Sequence, residues 1–331
     1  MTKPANTSRR SFLSGIAGSF LAVRLSALRA CKGEEMPTSK SVNRSRDVAS
    51  THLKWDVFVT PSIPAVTNDI APGEHERPWP PISSTLIYGE RDAVVVDSFI
   101  TLEQARAQAE WIAAKRKNLT MIYATHGHGD HFFGASVLLD RFPKARFVAA
   151  PSAIQVMKEQ VAPDFVAKFW EPRFPNQLPK QLVIAQELRT NVLELEGEGI
   201  SVVPLEFTDT AGTSCLHVPS LDLIVAGDAV YNGVHPRLVE SNQNRKRDEW
   251  LSALDKMESL KPRTVVAGHK NMKNDDDGTC VIGETRRYIL DFQELAAKTT
   301  TSKELYDQML SRYPDWLNRG ALWSSVSALQ R

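Results

Sequence analysis

The chain has 331 residues, with 40 Lys and Arg against 39 Asp and Glu, so its formal charge of +1 singles out no strongly charged partner. An apolar share of 42% and a charged share of 24% exclude wholesale disorder. No uncharged apolar run approaches the ~20 residues of a membrane-spanning helix, and three cysteines, Cys31, Cys215 and Cys280, are too few for a disulfide scaffold.

The amino-terminal segment reads differently from the remainder. Ser8-Arg9-Arg10-Ser11-Phe12-Leu13 places paired arginines before an uncharged stretch rich in Leu, Ala, Gly and Phe. It resembles a twin-arginine export signal, an address read by a receptor and not an anchor. Residues 1–30 are therefore expected to be a leader and 31–52 a disordered linker of Ser, Lys, Arg, Glu and Asn. The catalytic domain is expected over 53–331, exported to the periplasm if the leader acts as one. Residues 1–50 carry nine basic and three acidic side chains, so the near-neutral total conceals a basic leader on a body of about −5. That balance argues against nucleic acid as a partner.

From residue 55 the pattern alternates as a strand should, followed by a proline-laden irregular segment over 61–81. Strands are expected at 84–88 and 93–96 around the turn Gly89-Glu90-Arg91-Asp92. Thr101 is placed to cap a helix over 101–117. An apolar strand at 121–124, a helix over 132–142, a strand at 147–150 and an interrupted helical insert over 152–169 follow. Strands at 192–195 and 200–205 pair around Gly197-Glu198-Gly199, and those at 216–218 and 223–226 form a hairpin. Helices over 248–260, 284–298 and 302–313 enclose a strand at 264–267. Strand pairs followed by strand–helix alternation imply a two-sheet α/β fold with helices outside.

Three apolar strands end in side chains able to bind metal. Met121-Ile122-Tyr123-Ala124-Thr125 leads to His126, Leu223-Ile224-Val225-Ala226-Gly227 leads to Asp228, and Thr264-Val265-Val266-Ala267-Gly268 leads to His269. His126-Gly127-His128-Gly129-Asp130-His131 packs four ligand-type residues into six positions, with glycines giving the loop freedom to curl round an ion.

His126-x-His128-x-Asp130-His131, then Gly227-Asp228, then Gly268-His269, resembles the metallo-β-lactamase superfamily of metal-dependent hydrolases over about residues 55–270. Asp97, closing Ala93-Val94-Val95-Val96, fits the family's early strand-end aspartate. The resemblance implies an αββα sandwich with metals at one edge. It implies that His126 and His128 hold a first ion, that Asp130, His131 and His269 hold a second, and that Asp228 bridges them. Two Zn2+ ions are expected, with manganese or iron as harder alternatives.

One ligand of that pattern is missing. The position that usually carries a histidine falls at or near Phe207, which cannot bind metal. Either Glu206 or Asp209 supplies a carboxylate after a short register shift, or the first site lacks a ligand; Glu206 is the candidate replacement carried forward.

The mechanism that the resemblance implies is attack of metal-bound hydroxide on an acyl carbonyl, with Asp130 orienting or deprotonating the nucleophile. No GxGxxG or P-loop is present. Tyr231, Asn232 and His235 follow Asp228 closely and are candidate substrate contacts, Lys270 is a weaker one, and His217 is expected to pack on a sheet face. Phe165, Phe169, Trp170 and Phe174 suggest an aromatic lid. The expected function is opening of a small lactam or lactone, or cleavage of a related ester or thioester. The alternative is a binding protein with this fold and an incomplete first metal site. The partner is then a small acyl compound, with no stable membrane span; oligomer formation stays open.

Overall fold

The computed structural model describes residues 52–329, so the leader, most of the linker and any signal function lie outside the described residues. Eleven strands among the described residues form two sheets. The first runs in spatial order β1 (Lys54–Val59), β2 (Ser83–Tyr88), β3 (Asp92–Val96), β4 (Asn118–Ala124), β5 (Arg146–Ala149) and β6 (Gln186–Glu187). The second runs β11 (Thr264–Lys270), β10 (Leu223–Asn232), β9 (Ala211–Val218), β8 (Glu198–Phe207) and β7 (Val192–Leu195). β3, β4, β5 and β6 are mutually parallel, as are β10 and β11, while the remaining neighbours are antiparallel.

Strand alternation divides the core into layers. Val94 and Val96 of β3 face the space between the sheets, with Tyr123, Val148, Leu216, Leu223 and Val225. Ala93 and Val95 face outward onto α1 (Leu102–Ala114), α2 (Ala135–Arg141) and α3 (Pro151–Gln160). On the other side, Ile224 and Ala226 of β10 meet α6 (Asn244–Ser259), α7 (Gly278–Lys298), α8 (Ser302–Arg312) and α9 (Arg319–Ser327). The result is a four-layer αββα sandwich with apolar seams on each sheet face.

Several boundaries differ from the sequence expectation for local reasons. The helix expected from residue 132 starts at Ala135, because a 3-10 turn at Gly129–His131 first carries the metal-competent side chains round a corner. The insert is broken at Pro163 into two single turns, α4 (Pro163–Phe165) and α5 (Glu171–Arg173), flanking a wider π-type turn at Val166–Trp170. Thr101 caps α1 as expected, with Gln104 completing a reciprocal capping box. α9 begins at Arg319, and Asn318, in a left-handed backbone conformation, caps it by accepting from Ala321 N through its side-chain oxygen.

Parallel β3 and β4 end together, Val96 pairing with Tyr123, so Asp97 and His126 emerge at one edge. The sheets are clasped near that edge. Tyr123 Oη and Ser214 Oγ are 2.7 Å apart, Ser214 Oγ donates to Thr125 O at 2.9 Å, and Ser83 Oγ donates to Ala267 O.

Candidate metal centre

The ladder between β10 and β11 breaks where the chemistry sits. Gly227 pairs with Ala267 and Tyr231 with His269, so three residues of β10, Asp228 among them, oppose Gly268 alone. Such a bulge bends the strand and re-aims a side chain, here delivering Asp228 to the sheet edge. Gly268 is required by close approach, since a Cβ there would collide with Asp228 Oδ1 and crowd His131.

Three groups of metal-competent side chains result, and Asp97, His126 and His131 form the one that shares a histidine with each of the other two. His126, His128, Asp209 and Asp228 form the second, and Asp130, His131 and His269 form the third; within each, one ligand-type atom per residue lies within 4.8 Å of the others. All of these residues are buried. Asp228 links the second group to the third, with Oδ1 3.2 Å from His131 Nε2 and Oδ2 3.3 Å from His269 Nε2.

At the position of the missing ligand the structure brings Asp209 into the cluster. Bulges at the end of β8 turn the chain so that Asp209 is fully buried, with Oδ2 3.0 Å from His128 Nδ1. Glu206, the residue carried forward as the replacement, is exposed, with a left-handed backbone (φ +61°), and stands outside the cluster. That expectation is corrected: the register shift runs past Phe207, not before it. Phe207 itself faces Lys246, whose Nζ lies 4.7 Å from the ring.

Each histidine is oriented by an oxygen on the nitrogen facing away from the centre. His126 Nδ1 lies 3.0 Å from Thr125 Oγ1, which in turn donates to Asp97 Oδ2. His131 Nδ1 faces Asp97 Oδ2 at 3.1 Å, and His269 Nδ1 donates to Pro81 O at 2.8 Å. His128 is turned the other way, Nε2 facing Glu240 Oε1 at 3.0 Å. These partners fix tautomers so that the inward nitrogens present lone pairs to a cation, as metal-binding histidines require. Asp97 also accepts from Thr125 N at 2.8 Å, which makes it a positioning carboxylate.

The inward atoms face one another at ion-pair distance, as Asp209 does His128 and Asp228 does His131, and several make no hydrogen bond. His126 Nε2, His131 Nε2, Asp209 Oδ2 and Asp228 Oδ1 are buried without a hydrogen bond, and such groups cost stability unless something satisfies them. The donor set, imidazole with carboxylate in a buried cluster, fits one or two divalent transition metals. Without metal, the cluster orders its own charges. Burial opposes ionisation of Asp130 and Asp228, but neighbouring His131 and His269 override it and hold both carboxyls below the usual range. Burial likewise pulls His128 and His269 down, and their carboxylate neighbours overcome it, to about 10 and about 9. His126 is held low by burial and then by His131.

The cluster forms the floor of a cavity of about 700 Å3, exposing His128, Asp130, Asp228 and His269 to it. Trp79, Phe165, Phe169 and Trp170 line it as an aromatic wall, as the sequence suggested for the insert; Phe174 is buried behind them, against Trp79. Trp79, from the proline-rich loop, was not anticipated; its Nε1 donates to Asp130 Oδ2 at 3.1 Å. Its flanking prolines in Arg77-Pro78-Trp79-Pro80-Pro81 were the available signal, since they stiffen the loop that presents it. Glu240 gave no sequence signal.

The substrate-contact candidates divide. Tyr231 lines the cavity, but its hydroxyl donates to Asp228 Oδ2 at 2.7 Å and its ring stacks on His269. Asn232 points elsewhere, donating to Asp275 O at 2.6 Å and accepting from Asn274. His235 is fully buried against Tyr288 and Trp316. Lys270 pairs with Asp276 at 2.6 Å, and His217 is half-buried on β9. Asn232, His235 and Lys270 are therefore structural here, because the chain turns away from the cavity after Tyr231.

A two-sheet sandwich with outer helices and a buried His/Asp cluster at one sheet edge defines the class of metal-dependent hydrolase folds. The model of the metallo-beta-lactamase superfamily matches residues 77–269, and the chain belongs to that superfamily. Its fold is similar to that of a metallo-beta-lactamase family protein from Thermus thermophilus, at 18% identity and a TM-score of 0.56, covering 82% of this chain and 91% of that one. A beta-lactamase domain protein from Burkholderia ambifaria, 18% identical, gives a TM-score of 0.55 with 85% and 86% covered. The DIM-1 metallo-beta-lactamase, 16% identical, gives 0.52 with 72% and 97% covered. Among curated proteins, none matches the chain at a significant level. No helix among the described residues is long and apolar enough to cross a membrane.

Proposed function

We propose that the protein is a metal-dependent hydrolase that opens a small lactam or lactone, with acyclic esters and thioesters as related substrates. The observation that carries this reading is the set of four oriented imidazoles and three carboxylates converging, partly unsatisfied, on the floor of one cavity. Zinc is the metal that such a set favours, two ions per chain, with manganese or iron as the harder alternatives. His126, His128 and Asp209 would hold the first ion, Asp130, His131 and His269 the second, and Asp228 would serve both. When bound, such ions lower the pKa of a coordinated water toward ~7 and polarise an acyl oxygen.

The chain supplies the remainder. Asp130, fixed by the Trp79 indole, would orient or deprotonate the nucleophile at the floor of the cavity. Tyr231 holds Asp228 through its hydroxyl, and the aromatic wall lines the cavity above the reacting groups. The alternative of a binding protein with an incomplete first site rested on Phe207, and Asp209 removes that support.

Turnover of a lactam and lactone panel, with and without chelator, tests the reading. Ring opening that disappears with the metal and returns on its restoration is expected; a fully loaded protein inert on the whole panel overturns it. Export through the leader is part of the same proposal. Replacing Arg9 and Arg10 by lysines should retain the protein in the cytoplasm, and unchanged export would contradict it.

A further inference from the structure

The metal floor accounts for part of the cavity lining, and the rest carries an arrangement that the hydrolytic chemistry does not use. Arg77, Arg173 and Arg237 come from the proline-rich loop, the insert and the segment after β10, and all three line the same cavity. Arg77 pairs with Asp69. Arg237 pairs with Glu240 at 3.0 Å. Arg173 has no carboxylate partner among the described residues: its Nη1 donates to Phe169 O at 2.8 Å, and its guanidinium lies 3.8 Å from the centre of the Phe169 ring. Glu159, the remaining carboxylate of the lining outside the metal cluster and these pairs, is exposed and pairs with none of them.

Three half-buried guanidiniums therefore share two carboxylates. Burial, and then the neighbouring charge of Arg77, lowers the pKa of Arg173 with Asp69 opposing, in line with a half-buried cation that has no carboxylate in contact. A guanidinium stays protonated in proteins, so the imbalance cannot be relieved by losing a proton. Its planar fork suits a carboxylate, sulfonate or phosphate oxygen pair. Phe169 holds Arg173 by both its ring face and its carbonyl, so the charge is already in place before a ligand arrives.

The aromatic wall adjoins this charge in the lining. Trp79 and Trp170 pack at 5.4 Å, Phe169 meets Trp170 at 4.9 Å, and Phe165 stacks on Phe169 at 5.2 Å. A flat apolar body fits beside such rings, and a cavity of about 700 Å3 accommodates a ligand larger than a simple lactone.

We infer that the substrate is an amphipathic anion, with a flat apolar or aromatic body against Trp79, Trp170 and Phe169, and an acidic group bound by Arg173 with Arg77 beside it. This deepens the hydrolase reading, on which it rests for what happens at the metal floor. It narrows the expected substrates to acyl compounds that carry a second, non-reacting negative charge.

A pair of fluorescent probes tests the inference without turnover. The anion is 8-anilinonaphthalene-1-sulfonate, and N-phenyl-1-naphthylamine is the same ring system without the sulfonate. On the metal-loaded full chain at low salt, the sulfonate is expected to bind about tenfold or more tightly than the neutral amine. Arg173→Gln should remove most of that preference while leaving the amine's affinity unchanged, and Arg173→Lys should keep part of it. Equal binding of the two probes by the wild-type protein overturns the inference, and needs no variant to fold. Full retention of the preference in a folded Arg173→Gln protein also overturns it. Because the probes are not hydrolysed, loss of the preference alongside turnover of neutral lactones would sink the anion subsite alone. The preference without turnover of any acyl compound would sink the hydrolase reading alone.

Discussion

Asp209 Oδ2 lies 3.0 Å from Nδ1 of His128, in the place where the sequence offered only a phenylalanine and an ambiguous pair of acids. Asp209 is fully buried, and that oxygen makes no hydrogen bond. A buried carboxylate oxygen left with only an ion-pair neighbour and no hydrogen bond is costly, and a cation shared with His126, His128 and Asp228 would supply the missing partner.

Asp209→Ala is accordingly expected to lose the first metal while keeping the second, with activity down about a hundredfold or more, as loss of a ligand implies. Metal analysis of the purified variant reads this directly. Glu206→Ala, at an exposed position outside the cluster, should leave metal content unchanged. The reverse pattern would return the ligand to Glu206.

Asp97 acts one layer out. Its carboxylate serves Thr125 and His131 together from a backbone at φ +60°. Asn tolerates that left-handed conformation, so Asp97→Asn isolates the charge and acceptor pattern from backbone strain. Metal affinity should fall about 10–100-fold, as for other orienting partners of ligating histidines, with the melting curve of the metal-free protein little changed. Competition with a chromophoric chelator provides the measurement.

Gly268→Ala removes no ligand, yet its new methyl would meet Asp228 Oδ1 and the neighbouring backbone of Gly227. Displacing Asp228 disturbs both metal groups, so metal content and turnover should fall together, while an alanine at Gly283, where a Cβ meets nothing, should do neither. Retained metal in Gly268→Ala would show that the bulge yields more easily than the packing suggests.

His235 gives a pH signature separate from the metal centre. Burial, and then Arg319, depresses its pKa to about 3, against about 6.5 in an unfolded chain. The folded protein thus keeps a neutral imidazole where the unfolded chain takes up a proton. Its contribution is fully present above about pH 6.5 and lost as pH falls toward about 3, at about 1.4 kcal/mol per unit in that window. Chemical denaturation of His235→Gln, compared with the parent between pH 7 and 4, should show a shallower acid-side loss. Equal slopes would contradict the burial argument.

How much of this was legible in the sequence depended on how local the signal was. Strand periodicity and strand–helix alternation showed two sheets with helices outside, the αββα order came from the resemblance carried by the motif, and His126, His128, Asp130 and His131 stood in one short loop. Asp228 and His269 were readable because each ends an apolar strand. Asp209 was legible only as one of two acids, since the bulges that end β8 decide which of them turns inward, and a bulge leaves no mark in composition. Asn232 and His235 were misplaced because closeness in sequence to Asp228 does not reveal where the chain leaves the cavity. Trp79, Glu240 and Arg173 reach the site only through tertiary packing, from segments whose own pattern is loop or broken helix.

Whether the converging histidines and carboxylates hold catalytic metal is read out by metal analysis of the intact chain. Purified protein should contain bound transition metal, lose it and its hydrolytic activity together on chelation, and regain both on reloading. Protein that remains metal-free after exposure to zinc, manganese and iron, or that hydrolyses acyl substrates equally well after the metal is stripped, would show that the cluster is not a catalytic metal centre.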